Sequence, residues 1–402
     1  MEFISESLQT PVTGSCGVLV AGGGIAGISA ALAAARAGAD VILLEREYML
    51  GGLATAGMVT IYLPLDDGMG HQVSFGIAEE LLRLSLVNSR ENAKAFDPAV
   101  WLDKTKTAEE RRAAQRFEAQ YNPYLFAVEC ERLLLREGVT ILYGTSVCAV
   151  EKRGDAIGAV IVENKSGRSA IRVRSVVDCT GDADVCRLAG AETVTFRQGN
   201  VLAAWYYFLA HGEKEGQLKT LGSCDTPDAE KAESGEPERL TERRFTGLDA
   251  RELSEMTILS HEQTFNDVMK MRKTEPDYTL TTMASIPQIR MTRRIAGAFE
   301  LDIAHDHASF DDCVGRFGNW KKRGPVYELP FRCLYGGRVP NLITAGRCIS
   351  ASETMWDVTR VIPVCAVSGE AAGAAAAMTD DFSSLDVKRL QAHLEARRKA
   401  LF

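Results

Sequence analysis

Short apolar runs closed by glycine alternate with helical patterns along the first part of the chain. Val18, Leu19 and Val20 form a run of the length that a buried parallel strand uses. Residues 28–37 are alanine-rich and apolar at helical spacing, and Gly38 stops them. Residues 41–44 return to a short apolar run that ends at Glu45. Strand, helix and strand in that order predict a βαβ unit with its two strands parallel.

Further along, residues 78–86 and 124–136 carry helical patterns, and Gly138 separates the second from a strand over 139–143. The period drops to two over 147–152, 156–163 and 169–173. Glycine-containing turns divide these segments, Asn164-Lys165-Ser166-Gly167 among them, and predict an antiparallel meander. Val176 and Val177 lead a strand into the small-residue turn Asp178-Cys179-Thr180-Gly181-Asp182. Residues 246–273 read as helix and 279–286 as strand. An apolar strand over 341–345 precedes Gly346 and Arg347. Pro363 then opens a helix at a position that proline favours. The small residues Gly369, Ala371, Ala372, Gly373 and Ala374 predict very close packing of that helix against a sheet. A polar amphipathic helix over 385–402 ends the pattern. Residues 1–15 are expected as a flexible tail, 88–122 (broken by Pro98) as an excursion, and 213–242 as a polar surface loop.

This order implies an α/β fold. A Rossmann-like dinucleotide-binding domain, a parallel sheet plus an antiparallel meander, is expected from 16–190 and 331–402 together. An α+β substrate or cap domain is expected from 191–330. The 402 residues suffice for two domains.

Gly22, Gly24 and Gly27 stand as G-x-G-x-x-G between the first strand and its helix. The first glycine permits the tight turn, the second lets backbone approach a pyrophosphate, and the third lets the helix pack close. The helix N-terminus offers free N–H groups and partial positive charge to the phosphates. Glu45, 18 residues after Gly27, falls where a carboxylate accepts hydrogen bonds from an adenosine ribose. The doublet Gly51-Gly52 suits a turn lying along the dinucleotide. The candidate binding residues here are Gly22, Gly24, Ile25, Ala26, Gly27, Glu45, Arg46, Gly51, Gly52, Leu53 and Thr55. No second G-x-G-x-x-G occurs, so no separate nicotinamide-binding domain is expected.

Charge and cysteine usage narrow the classes. A net charge of −8 without a basic run argues against nucleic acid. No apolar run approaches the roughly 18 residues of a membrane span. The first residues lack the basic start and apolar centre of a signal peptide, so a cytoplasmic location is expected. The ten cysteines form no C-x-x-C pair and do not sit beside histidines at zinc spacing, and are expected as buried, reduced thiols. His305 and His307 have only Asp306 and Asp311 near them in sequence, too few ligands for a metal site, and none is expected.

Together these motifs resemble the FAD-dependent oxidoreductase family, part of the wider group of glutathione-reductase-like flavoproteins. The resemblance rests on the opening βαβ unit, Gly51-Gly52, residues 177–182 and residues 341–377. It covers most of the chain and is weakest over about 200–285. It implies FAD as cofactor, with Thr180, Gly181 and Asp182 near it and Gly346 and Arg347 by its pyrophosphate or ribityl chain. It also implies adenine contact from the Val147 backbone. Arg360, Val361 and Ile362 would lead into a helix whose N-terminus faces the isoalloxazine. Cys179 stands where relatives more often carry alanine. A helix N-terminus at that ring stabilises the negative charge of reduced flavin. Pro363 has no N–H, so Val364 and Cys365 are the expected donors. A covalent flavin link through histidine or cysteine stays open.

Three groups are candidates for chemistry beyond the cofactor. His71, in a glycine-rich stretch, is a candidate base or substrate partner, as is Tyr62, each weighed against a structural role. Arg290, Arg293 and Arg294 could hold a substrate carboxylate, or form an ion-paired face. Arg360 could hold an anionic substrate or the reduced flavin, or pair with a surface acid. The expected function is an FAD-dependent oxidoreductase that moves a hydride between a small organic substrate and flavin N5. Its electrons would come from or go to an external partner. Its rivals are a double-bond reductase fed by an external donor and a flavin-binding subunit without catalysis. A homo-oligomer is left open.

Overall fold

The computed structural model describes residues 2–87, 105–114, 116–213, 216–222 and 239–400. Most of the expected excursion, with Pro98, and most of the expected polar loop, with Cys224, lie outside the described residues.

The apolar run at 18–20 is the buried end of a longer strand, Val12–Ala21. Its polar start is not part of a tail. Val12, Gly14 and Ser15 pair with Ala170, Ile171 and Arg172. Nothing in their own hydrophobicity announces a strand; a neighbouring strand supplies the partners. Val41–Leu44 pairs parallel to this strand on its other side, and Thr140–Leu142 extends the sheet beyond it.

One long strand joins the two kinds of sheet. Gly167–Asp178 runs parallel to the first strand along most of its length. Its other edge is shared. Gly167 to Arg172 pair antiparallel with Ala156–Asn164, and Val176 to Asp178 pair parallel with Leu342–Thr344. Ser146–Arg153 closes the meander. Seven strands result, with the C-terminal ends of the parallel ones on one side.

The helix after the first strand, Ile25–Arg36, is apolar nearly all round and buried. The closing helix, Ile362–Met378, crosses it at very short range. A Cβ on Gly369 would lie 2.3 Å from Ala26 O, and one on Gly373 would lie 2.0 Å from Ala30 O. The glycines therefore face a helix, where a sheet was expected. Glu370, between them in sequence, is buried and held by Arg398 of the terminal helix Val387–Ala400 at 3.2 Å.

The middle of the chain builds a three-stranded antiparallel sheet, Gln217–Leu221, Ala204–Leu209 and Thr279–Met283, packed on the helix Ala250–Met271. The hairpin Cys313–Gly318 with Val326–Pro330 is not visible in the sequence pattern. It packs on the closing helix, where Gly315 leaves no room for a Cβ beside Val367. Among the described residues no single helix is long and apolar enough to cross a membrane. The nine described cysteines are free thiols.

Candidate cofactor site

Backbone conformation shapes the site before any side chain does. Gly22 has φ +100°, and a Cβ there would lie 2.5 Å from Cys179 O. A Cβ on Gly27 would lie 1.8 Å from Gly22 O, so the turn and helix touch. Gly24, the N-cap of the helix, differs: a Cβ there would meet nothing within 4 Å. Open space thus lies where a pyrophosphate would approach the helix N-terminus. The second glycine turn is stitched to the first, with Gly51 N–H donating to Gly23 O at 2.8 Å.

Side chains lock these turns. Glu45 Oε2 accepts from Gly23 N–H and Oε1 from Glu47 N–H, both at 2.8 Å. Burial pushes its carboxyl up, and the two N–H groups oppose that shift. Thr55 is fully buried, and its hydroxyl donates to Leu50 O, closing the Gly51-Gly52 turn from below. Asp178 Oδ1 accepts from Thr180 N–H at 3.1 Å and from the Thr180 hydroxyl at 2.7 Å. Its Oδ2 accepts from Cys186 N–H at 2.9 Å, so one buried carboxylate shapes the turn 178–182.

A single cleft of about 1450 Å³, solvent at its mouth included, gathers these elements at the C-terminal ends of the parallel strands. Gly22, Gly24, Ile25 and Ala26 line it, with Glu45 and Arg46 at the second strand's tip. Gly51, Gly52 and Leu53 form another stretch of wall, and Val147 another. Thr180, Gly181, Asp182, Gly346 and Arg347 face them, and Arg360 and Ile362 line the same cleft. Gly27 and Thr55 do not line it; they sit beneath and support it.

Arg347 links the two halves of the chain. Its guanidinium donates to Asp182 Oδ1 at 3.3 Å and to Ile289 O. Thr292 donates its hydroxyl to the same Asp182 oxygen at 2.7 Å. Ile286, Pro287 and Ile289 of the middle segment close over the cleft, together with Gly247 and Leu253. These five were not anticipated, because nothing in their local pattern marks them as cofactor neighbours. Thr145 and Ser146, beside Val147, also line it.

The closing helix meets the cleft through Ile362 and Cys365. Cys365 N–H donates to Val361 O at 2.9 Å, the first rung of the helix. It is therefore not an open donor, contrary to expectation. Helix geometry leaves Ile362 and Val364 as the residues whose N–H groups end the helix. The Cys365 thiol is pushed up to about 12 by burial, so it is protonated at neutral pH.

The candidate chemical residues are dispersed. His71 Nδ1 lies 2.8 Å from Asp67 Oδ2, half exposed and outside the cleft lining. Tyr62 is fully buried and donates to Ala78 O at 2.6 Å. The three arginines after the middle sheet do not act together. Arg293 pairs with Asp184 at 2.6 Å, Arg294 pairs with Glu300, and Arg290 stacks over Trp205 at 4.9 Å. Arg360 is held by Asp357, which also holds Lys321. Burial opposes charge on Asp357, but these two cations outweigh it and hold the carboxyl down at about 2. No metal-ligand cluster occurs among the described residues.

A parallel sheet with a glycine turn, a buried carboxylate at the second strand's tip and a helix N-terminus opening onto the cleft defines a dinucleotide-binding fold of the Rossmann kind. The FAD dependent oxidoreductase family matches residues 17–204 and 209–394, and the chain belongs to that family. It is an FAD-dependent redox enzyme. The glycine cradle fits this cofactor: space opens at Gly24, where the phosphates would lie, and closes at Gly22 and Gly27, where only backbone fits. Among solved structures, the p-nitrophenol 4-monooxygenase PnpA from Pseudomonas putida DLL-E4 is similar over 96% of this chain and 84% of its own. Identity is 14% and the TM-score is 0.50. A geranylgeranyl bacteriochlorophyll reductase-like protein from Thermoplasma acidophilum aligns over 96% and 83%, with 12% identity and a TM-score of 0.45. Likeness at this level speaks to fold alone. A comparison with curated proteins finds no match.

Proposed function

We propose that the chain oxidises or reduces a small organic substrate held between the cofactor cleft and the segment 285–291. The observation that carries this reading is the mixed lining of one cleft. Cofactor-turn residues and Ile286, Pro287 and Ile289 of the middle segment form the same wall. When bound, FAD supplies two-electron transfer as a hydride at N5.

The chain's residues then have distinct tasks. The helix N-terminus at Gly24 and Ile25 would hold the pyrophosphate, and Glu45 would accept from the ribose. Asp182 and Arg347, which line the facing wall, would hold the cofactor's pyrophosphate or ribityl chain. The N-terminus of the closing helix at Ile362, with Arg360, would supply positive potential to the negative charge of a reduced flavin. Asp357 orients Arg360 through Nε–H, which donates to Oδ1 at 3.1 Å. The middle segment excludes water from this end. On this reading residues 16–190 and 331–402 form the FAD-binding part and 191–330 the substrate or cap part. The second reading, reduction of a double bond by electrons from an external donor, uses the same cleft.

Anaerobic photometry of the FAD-loaded protein tests the proposal. Small alcohols, amines and hydroxy acids are expected to bleach the flavin band, and oxygen or a quinone to restore it. Bleaching by reduced nicotinamide alone, followed by return of colour with an alkene acceptor, would favour the reductase. A flavin that no reductant in these classes bleaches overturns both.

A further inference from the structure

Asp182 joins the cofactor wall to the middle of the chain. Its Oδ1 accepts from the Thr292 hydroxyl at 2.7 Å and from Arg347 Nη2 at 3.3 Å. Its backbone O accepts from Arg293 Nε at 3.0 Å. The Arg347 guanidinium lies against Gly181, where a Cβ would stand 2.3 Å from Nη2. Gly181, Asp182 and Arg347 all line the cleft. Thr292 does not line it and is fully buried. The Thr292 backbone is fixed: its O accepts from Phe196 N–H at 2.7 Å, beside the pairing of Arg293 to Ile295 with Thr193 to Thr195. The two branches of its side chain reach two walls. The hydroxyl meets Asp182, and the methyl stands 2.8 Å from where a Cβ on Gly247 would lie. Gly247 lines the cleft as well.

The shorter of the two bonds to Asp182 Oδ1 therefore comes from a buried side chain on fixed backbone. Without it, the 3.3 Å contact with Arg347 is the side-chain bond left to Asp182 among the described residues. The carboxylate would then be free to turn, and the guanidinium to follow it. We propose that Thr292 is a positioning residue for the cofactor: its hydroxyl holds the Asp182 carboxylate, and through it Arg347, in the orientation that receives FAD. The proposal rests on the reading above that Asp182 and Arg347 hold the pyrophosphate or ribityl chain. A wall ordered before the ligand arrives leaves less ordering cost to the binding step.

Thr292→Val, Thr292→Ser, Asp182→Ala and the double variant Asp182→Ala with Thr292→Val test this. Each is titrated with FAD by flavin fluorescence and melted as apoprotein. Valine removes the hydroxyl and keeps the methyl; serine removes the methyl and keeps the hydroxyl. Thr292→Val is expected to weaken FAD binding about three- to tenfold, the worth of roughly one hydrogen bond, and Thr292→Ser to stay within about twofold of wild type. Serine as weak as valine, or weaker, overturns the proposal and leaves Thr292 as packing against Gly247. Asp182→Ala is expected to bind FAD about tenfold or more weakly. Adding Thr292→Val to it is expected to change affinity by less than about twofold, because the hydroxyl then has no carboxylate to hold. An undiminished effect of Thr292→Val in that background overturns the route through Asp182. Thr292→Val with wild-type affinity, while Asp182→Ala binds weakly, overturns the role of Thr292 alone. Asp182→Ala with wild-type affinity removes Asp182 from the cofactor wall, and the proposal falls with that reading. If the Thr292→Val apoprotein does not fold, Thr292→Ala compared with Thr292→Ser isolates the same hydroxyl, and equal FAD affinities of those two overturn the proposal.

Discussion

Replacing Gly373 by alanine puts a methyl carbon 2.0 Å from Ala30 O and 2.7 Å from Ala30 C and Cα. Ordinary contact begins at 3.4 Å, and every atom in the way is backbone of the opposing helix. A flexible side chain could swing aside; this backbone cannot. The two helices must separate by about 1 Å or more to restore van der Waals spacing. Overpacking of this kind typically costs ~1–3 kcal/mol. Alanine's better helix propensity returns about 1 kcal/mol. With rigid atoms on both sides the upper range applies, leaving a net loss of about 2 kcal/mol. That corresponds to a melting temperature lower by roughly 2–5 °C. The same crossing sets the spacing of two helix N-termini that line the cleft, at Ile25 and Ile362. FAD affinity is therefore expected to fall together with stability. Thermal unfolding of the apoprotein and FAD titration by fluorescence measure the two effects. Gly14→Ala is the control, since a Cβ there meets nothing within 4 Å, and it is expected to be neutral. If Gly373→Ala melts with wild type while Gly14→Ala does too, the helices are not in contact through their backbones and the reasoning is wrong.

Two further outcomes follow from charge. Asp357 is 1% exposed and its carboxyl is held from 3.8 to about 2, so its ionised form stabilises the fold by about 2 kcal/mol. A depressed folded value means that this stability is present above about pH 4 and is lost as pH falls toward 2. Asp357→Asn should melt several degrees lower at pH 7, and its deficit should shrink on titration from pH 4 downward; a deficit independent of pH would contradict the charge argument. Glu45 has a raised carboxyl, so its protonated form is reached above the ordinary range, and FAD affinity should weaken as pH falls through that region. Glu45→Gln should bind FAD about tenfold or more weakly and lose this pH dependence, since one of the N–H groups of Gly23 and Glu47 would then face an NH₂. Identical pH profiles for wild type and variant, measured by FAD titration, would remove Glu45 from the site.

Local signals made the opening strand, glycine turn and helix and the acid at the second strand's tip readable. A glycine spacing, an apolar run and a terminal acid are each decided within a few residues, by backbone sterics and by strand burial. The same holds for the meander, where alternation and the turn Asn164-Lys165-Ser166-Gly167 act locally. The first part of Val12–Ala21 was not readable, because polar residues become strand only when another strand's edge is free to pair. The hairpin Cys313–Gly318 was hidden for a related reason: Gly315 is dictated by Val367 of a helix far along the chain.

Chemistry candidates depended on tertiary structure most. Arg290, Arg293 and Arg294 lie within five residues and left open one anion site or an ion-paired face; Arg293 and Arg294 form ion pairs with separate acids, and Arg290 stacks on Trp205. His71 follows the cofactor turn in sequence, and in space it pairs with Asp67 and does not line the cleft. Gln288, by contrast, is an unremarked residue in the sequence; only the meeting of two segments buries its amide against Gly57 O. The sequence by itself determined the fold class and the family, because these follow from short-range backbone requirements. The tertiary structure alone decided which side chains face the cleft and how closely the two helices approach. Those depend on contacts between residues hundreds of positions apart, such as Ala30 with Gly373 and Gly57 with Gln288.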